Sequence, residues 1–362
     1  MHLIIDSHED LAWNMATFQR DYTRSVLETR SLEMNGIASQ ANGDTMLGWP
    51  EYQLGHVAIV FATLFASPLR KKKYDWSTQN YDGNKQANKL YRNQLDLYHQ
   101  LVNIHPDKFK LILSKKDLDH HISCWLKASE HKPELPVGIV ILMEGAEAVQ
   151  SPEDLEFWWE NGVRIIGPAW TGTRFCGGTG EPGPLTDEGH QLLDKMAEIG
   201  FILDISHMDE LAVLQSLDTY EGKVIASHAN ASSLIKNYSG NRHLSDETIH
   251  RLFERDGVMG IIPYNKFLDQ DWISNGGRVN ISLSMVADQI NHVCQVAGDA
   301  HHVGIGTDFD GGFGMQSAPY ELNSIADLQK LADHLTDHGF SYDDISAILG
   351  LNWKHMLEYN LP

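Results

Sequence analysis

The sequence predicts one α/β domain, a (β/α)8 TIM barrel spanning residues 1–362. Three observations predict it. Eight short apolar runs alternate with helical segments along the chain, with no linker and no internal repeat. The runs lack the in–out alternation of a half-solvated sheet, as strands buried on both faces do. Chemically competent residues follow the first, third, fifth, sixth and eighth runs, and a barrel gathers all of those ends around one mouth. A doubly wound open sheet, the alternative, would spread them along a line, with ligands only at its switch point.

The elements follow in order. Residues 2–7 form the first strand, which ends in Asp6-Ser-His8-Glu-Asp10. Residues 13–52 are irregular and polar and read as a long loop with one helix, a pattern often functional at a strand's carboxyl end. The second strand is 57–65, and a helix over 85–104 places Leu90, Leu95, Tyr98, Leu101 and Val102 on one face. Ser114, with Asp117 three residues on, opens another helix. The third strand, 137–143, runs directly into Glu144-Gly145. Pro152 marks a helix start, and the fourth strand begins at 162–167 and continues to Trp170. Residues 171–184 hold five glycines and read as a loop, after which Thr186 caps a helix to about 199.

The fifth and sixth strands each end in Ser-His. They are Phe201-Ile-Leu-Asp-Ile-Ser-His207 and Val224-Ile-Ala-Ser-His228, with a crossover helix over about 209–217 between them. Two adjacent strands that each deliver an imidazole at the same end set His207 and His228 side by side. Ser245 caps the next helix, residues 257–263 are the seventh strand, and residues 283–296 are helical. The eighth strand, 302–307, ends in Asp308-Phe-Asp310-Gly-Gly312, and helices capped by Ser324 and Ser341 complete the chain.

Composition bounds the function. A net charge of −21 argues against nucleic acid and anionic membrane surfaces as partners. Three separated cysteines, Cys124, Cys176 and Cys294, make no CxxC motif and favour a reducing compartment. No basic and apolar leader precedes the first strand and no run of 18 apolar residues occurs, so a cytoplasmic location with no membrane association is expected. The expected partner is a small-molecule substrate, with a homodimer left open.

His8, Asp10, Glu144, His207, His228 and Asp308 all project toward the predicted mouth. His8 and Asp10 are two apart, so on an extended strand both face one way and suit one metal ion. A carboxylate can bridge two ions, and Glu144 is placed to tie a His8/Asp10 ion to a His207/His228 ion. Imidazole and carboxylate donors without thiolate suit Zn2+, with Mn2+, Fe2+ or Co2+ as other divalent choices. Water between two such ions is a hydroxide near neutral pH and a nucleophile for an acyl or phosphoryl centre. Asp308 is within reach to take and return its proton, while Asp310 supports the loop.

These residues carry a resemblance. His8-x-Asp10, Glu144-Gly145, Asp204-x-Ser-His207, Ser227-His228, Arg242 with Ser245-Asp246, and Gly306-Thr-Asp308-Phe-Asp-Gly311 together resemble the membrane dipeptidase family (renal dipeptidase, peptidase M19) of the amidohydrolase superfamily. The resemblance covers nearly the whole chain, from residue 4 to about 357. It implies a binuclear zinc site bridged by Glu144 and a hydroxide. One ion would be held by His8, Asp10 and Glu144, the other by Glu144, His207 and His228. Asp308 would be the acid/base, and Arg242 would bind the substrate's terminal carboxylate. The implied reaction is hydrolysis of a dipeptide or related C–N acyl bond.

Two positions depart from the family. Glu9 replaces its usual asparagine but points away from the His8/Asp10 face. On strand four, where the family has a histidine that polarises the scissile carbonyl, the chain reads Gly167-Pro-Ala-Trp170. Trp170 offers one N–H donor and no acid/base capacity, so it is expected to wall the pocket, with Arg174 the candidate replacement electrophile. This departure keeps open a non-dipeptide amide, lactam or lactone as substrate, or a non-catalytic metal-binding relative. Phosphotriesterase or deaminase chemistry is disfavoured, since those barrels begin with His-x-His.

Overall fold

Eight parallel strands frame the molecule in the computed structural model, which describes residues 1–127 and 134–362. They are β1 (Ile4–Glu9), β2 (Val57–Phe65), β3 (Val137–Glu144), β4 (Val163–Gly167), β5 (Ile202–Asp204), β6 (Val224–Ile225), β7 (Met259–Ile261) and β8 (Val303–Ile305). Hydrogen-bonded neighbours run β6-β5-β4-β3-β2-β1-β8-β7. A parallel bridge between Ala226 and Met259 closes the circle from β6 to β7. There the Ala226 N–H donates to the Val258 carbonyl at 2.9 Å and the Gly260 N–H to the Ala226 carbonyl at 2.8 Å. The predicted barrel is therefore the fold, and the open sheet is not.

Every residue of β1 and β3 is buried, as is all of β2 except Phe65. One face of each strand packs inside the barrel and the other lies under the helices, which is why the runs read as continuously apolar. Fully burying a Leu- or Phe-sized side chain stabilises by about 1.5–3 kcal/mol, and Ile4, Ile5, Phe61 and Trp353 are among those with no exposed surface.

Capping side chains start the crossover helices where the sequence places them. The Thr186 hydroxyl accepts from the Gly189 N–H at 3.0 Å at the head of Asp187–Ile199. Asp209 accepts from the Leu211 N–H at 3.3 Å before Glu210–Thr219, and Ser245 from the Thr248 N–H at 3.2 Å before Asp246–Glu254. Each such cap contributes about 1 kcal/mol. Asp187–Ile199 stops at Gly200, whose φ of 105° lies in the left-handed region that glycine enters without Cβ strain.

Three segments differ from expectation. Residues 13–52 hold most of four short helices, Leu11–Phe18, Val26–Glu33, Ile37–Asn42 and Trp49–Gly55, rather than one helix in a loop. They are too short to show a helical period, and tertiary bonds hold the segment. Asp310 accepts from Tyr22 Oη at 3.1 Å, Thr45 Oγ1 at 2.5 Å and the Met46 N–H at 2.9 Å, and it pairs with Arg20 Nη1 at 3.1 Å. The glycine-rich stretch is a two-stranded antiparallel hairpin, Cys176–Gly178 with Glu181–Leu185. Its backbones touch so closely that a Cβ on Gly177 would lie 2.1 Å from the Gly183 nitrogen, and side-chain-free residues leave no alternation to read. A three-residue strand, Phe109–Leu111, pairs with β3 outside the barrel and is too short to register as a pattern.

Candidate active site

The barrel brings the predicted metal-binding residues together at the carboxyl ends of its strands. His8 lies in β1 with Asp10 just beyond it, and Glu144 is the last residue of β3. His207, His228 and Asp308 follow β5, β6 and β8 within a few residues. One carboxylate oxygen, Glu144 Oε1, is the hub. It lies 3.6 Å from His8 Nε2, 3.1 Å from His207 Nε2 and 3.5 Å from His228 Nε2. His207 Nε2 and His228 Nε2 are 3.0 Å apart, and the His8 and His228 rings stack with centroids 3.5 Å apart.

The far sides of the rings are tied down. Ser227 Oγ donates to Asp204 Oδ2 at 2.6 Å, so its lone pairs accept from the imidazoles. It lies 2.9 Å from His228 Nδ1 and 3.2 Å from His8 Nδ1. Those protons on Nδ1 leave both Nε2 atoms as bare donors to a cation. Thr179 Oγ1 sits 2.9 Å from His207 Nδ1 and orients the third ring.

These residues fit a pair of divalent ions. His8, Asp10 and Glu144 form one donor set, and Glu144, His207 and His228 a second, with the atoms of each set within 4.8 Å of one another. A third set, His8, Asp204 and His228, meets the same limit. The Asp204 carboxylate is already saturated by Ser206 and by the Ser227 hydroxyl and N–H, so it orients the rings from behind. His8 Nε2 is buried with no hydrogen-bond partner, and an orphaned lone pair facing carboxylates is satisfied by a cation.

Electrostatics point the same way. Burial lowers the three imidazoles well below their ordinary value, with Arg242 and neighbouring histidines adding to the effect, so they are neutral. Burial raises Glu144 and Asp308 well above the carboxylate range, and the Asp10 charge adds to both. The Arg242 guanidinium offsets part of this, and crowded, desolvated carboxylates facing neutral imidazoles still favour a bound cation.

Two expectations follow here. Ser227→Ala removes the hydroxyl that fixes two rings and weakens metal binding about 10- to 100-fold; competition against a chromogenic chelator measures it, and unchanged affinity would remove Ser227 from the site. Burial pushes Asp10 up to about 6. An entering cation must displace the proton of Asp10, and that of Glu144, which burial also raises, so metal affinity falls as pH drops toward and through about 6. Calorimetric titration from about pH 5 to about pH 8 checks the sign.

Asp308 borders the same cavity, of about 410 Å³, as do Asp10, Glu144, His207 and Arg242. Its φ of 57° is left-handed, and its N–H donates to the His8 carbonyl at 3.0 Å. Gly311 makes room for it, since a Cβ there would lie 2.0 Å from Asp308 Oδ1 and 2.8 Å from Asp10 Oδ2. Arg242 is buried, with Nη1 donating to the Ser206 carbonyl at 2.8 Å and Nη2 to the His228 carbonyl at 2.9 Å. Trp170 lines the cavity, its ring 5.1 Å from Phe65 and 6.2 Å from His207.

Arg174 is not brought to this cavity. Its guanidinium pairs with Glu147 at 3.1 Å and Glu188 at 3.0 Å and donates to the Val149 carbonyl. It lies in the segment between Trp170 and the hairpin and lines a separate cavity with Arg70 and Glu147, so the structure does not support it as a replacement electrophile. Glu9 is buried away from the metal-binding face, where Tyr52 Oη donates to it at 2.5 Å. Sequence reasoning gave no role to Thr179, Lys71 or the aromatic residues Trp13, Tyr264, Phe267 and Phe313, all of which line the cavity. They lie outside the eight barrel strands, where no periodicity marks them.

A closed parallel barrel with an imidazole–carboxylate cage at the carboxyl ends of its strands is the architecture of a metal-dependent hydrolase. The chain belongs to the membrane dipeptidase family, peptidase family M19, whose model matches residues 1–359. It is similar to dipeptidase aclJ of Aspergillus oryzae, 28% identical over 271 residues that cover 73% of this chain and 59% of that protein. An uncharacterized dipeptidase of Schizosaccharomyces pombe is 24% identical over 361 residues, covering 97% of this chain and 80% of its own. The fold matches a metallopeptidase of Rhodobacter sphaeroides bound to a phosphinate mimic of the dipeptide L-Ala-D-Ala, with a TM-score of 0.78, 20% identity and 99% of both chains covered. Among the described residues, no helix is long and apolar enough to cross a membrane.

Proposed function

We propose that this chain, acting as one domain over residues 1–362, is a zinc-dependent hydrolase of dipeptides. The observation that carries the reading is the pair of donor sets sharing Glu144, with Asp308 and Arg242 bordering the same cavity. His8, Asp10 and Glu144 would hold one ion, and Glu144, His207 and His228 the other. Two zinc-class ions there would supply a nucleophilic hydroxide at neutral pH and polarise the acyl oxygen.

The chain's own residues do the rest. Arg242, pinned by two backbone carbonyls, presents a guanidinium to the substrate's terminal carboxylate and so orients the scissile bond. Asp308 accepts the proton released on attack and returns it to the departing amine nitrogen, so that the amine leaves neutral. The aromatic walls exclude bulk water and strengthen each of these interactions.

Assay of the zinc-loaded protein against L,L- and L,D-dipeptides tests the reading. Turnover that a chelator abolishes and added zinc restores is expected. No turnover of any dipeptide by protein with a full metal complement would overturn it.

A further inference from the structure

The walls of the cavity carry information that its floor does not. We propose that the site selects substrates whose acyl half bears a large apolar group and no side-chain positive charge. The inference rests on the hydrolase reading above and names the substrate class for it.

Arg242 lies in the connection after β6. A carboxylate held there places the amine half of the substrate over the β5–β7 side, and the acyl half must then lie across the floor, over β1 to β4. That side is aromatic. Trp13 comes from the helix after β1, Phe65 ends β2 and Trp170 follows β4, and all three line the cavity. Phe65 and Trp170 meet at 5.1 Å with a 57° tilt. Trp13 is backed edge-on by Phe18 at 5.5 Å and Trp76 at 6.4 Å. The result is a braced apolar surface suited to a branched or aromatic group.

The charge on this side is positive. Lys71 also lines the cavity. Its ammonium lies 2.9 Å from Glu181, and Arg70 lies 2.7 Å from the same carboxylate. Two cations share that anion, and of the three groups only Lys71 lines the cavity. The acidic residues that line the cavity are Asp10, Glu144 and Asp308, all placed in the metal floor or beside it. A lysine or arginine side chain in the acyl half would meet Lys71, and the carboxylate beside it, Glu181, does not line the cavity and is already shared by two cations.

The test measures binding and turnover separately. Zinc-loaded Asp308→Asn protein is titrated calorimetrically with Gly-Gly, with both enantiomers of Phe-Gly, and with both of Lys-Gly. The better Phe-Gly enantiomer is expected to bind at least about 10-fold more tightly than Gly-Gly, and at least about 10-fold more tightly than either Lys-Gly. In a Trp170→Ala, Asp308→Asn double variant the Phe-Gly to Gly-Gly ratio is expected to fall below about threefold. Equal binding of Gly-Gly and Phe-Gly, or tighter binding of Lys-Gly, would overturn the inference. The wild-type enzyme, assayed with the same peptides, judges the hydrolase reading by itself. Turnover without preference sinks only the substrate class, whereas the predicted binding order without turnover sinks only the reaction.

Discussion

Replacing Asp308 with Asn lowers turnover about 100- to 10,000-fold and leaves the metal content unchanged. The residue belongs to neither donor set that shares Glu144, so its loss removes no ligand. Asparagine fills the same space and tolerates the left-handed backbone found at this position, so the turn and its N–H bond to the His8 carbonyl persist. What disappears is the capacity to carry a proton, which burial and the neighbouring Asp10 charge otherwise favour. Metal analysis alongside single-turnover kinetics separates the outcomes. Undiminished turnover removes Asp308 from the chemistry, and loss of metal along with activity reassigns it as a ligand.

Glu144→Ala has the other large effect. It removes the oxygen that three imidazoles face at 3.1 to 3.6 Å, and both donor sets lose a member. Metal content is expected to fall below about half the wild-type stoichiometry, with turnover undetectable. The stabilisation that bound metal gives the folded state also goes. At a thousandfold excess over its dissociation constant a ligand stabilises by about 4 kcal/mol, so added zinc should raise the melting temperature of the wild type by several degrees and that of the variant hardly at all. A variant that retains the full metal complement would show that Glu144 is not shared.

The gathering of the donor residues at one mouth was legible in the sequence for a physical reason. A buried parallel strand is an uninterrupted apolar run, and a polar residue at its end has one place to go. His207, His228 and Glu144 were visible in this way, and His8 with Asp10 by their spacing. The Ser227–Asp204 network was visible only as a repeated Ser-His, because which hydroxyl lies between which rings depends on strand register. Arg174 was misplaced because the irregular segment between Trp170 and the hairpin gives no signal of direction, and there the side chain turns toward Glu147 and Glu188. Tyr264, Phe267 and Phe313 lie in irregular connections, and only the closed barrel brings them to one cavity.

The clamp on Asp310 has a consequence for timing. The short turn that bears Asp308 is fastened, two residues on, to Tyr22, Thr45, Met46 and Arg20, all from the excursion between β1 and β2. Conformational freedom in that turn is therefore surrendered when the chain folds, not each time substrate arrives. If Asp308 carries the proton as proposed, its carboxylate waits already aimed and little reorganisation separates the bound complex from proton transfer. On the proposed reading, loosening the clamp, none of whose residues belongs to a donor set, would slow the reaction through the lost aim alone.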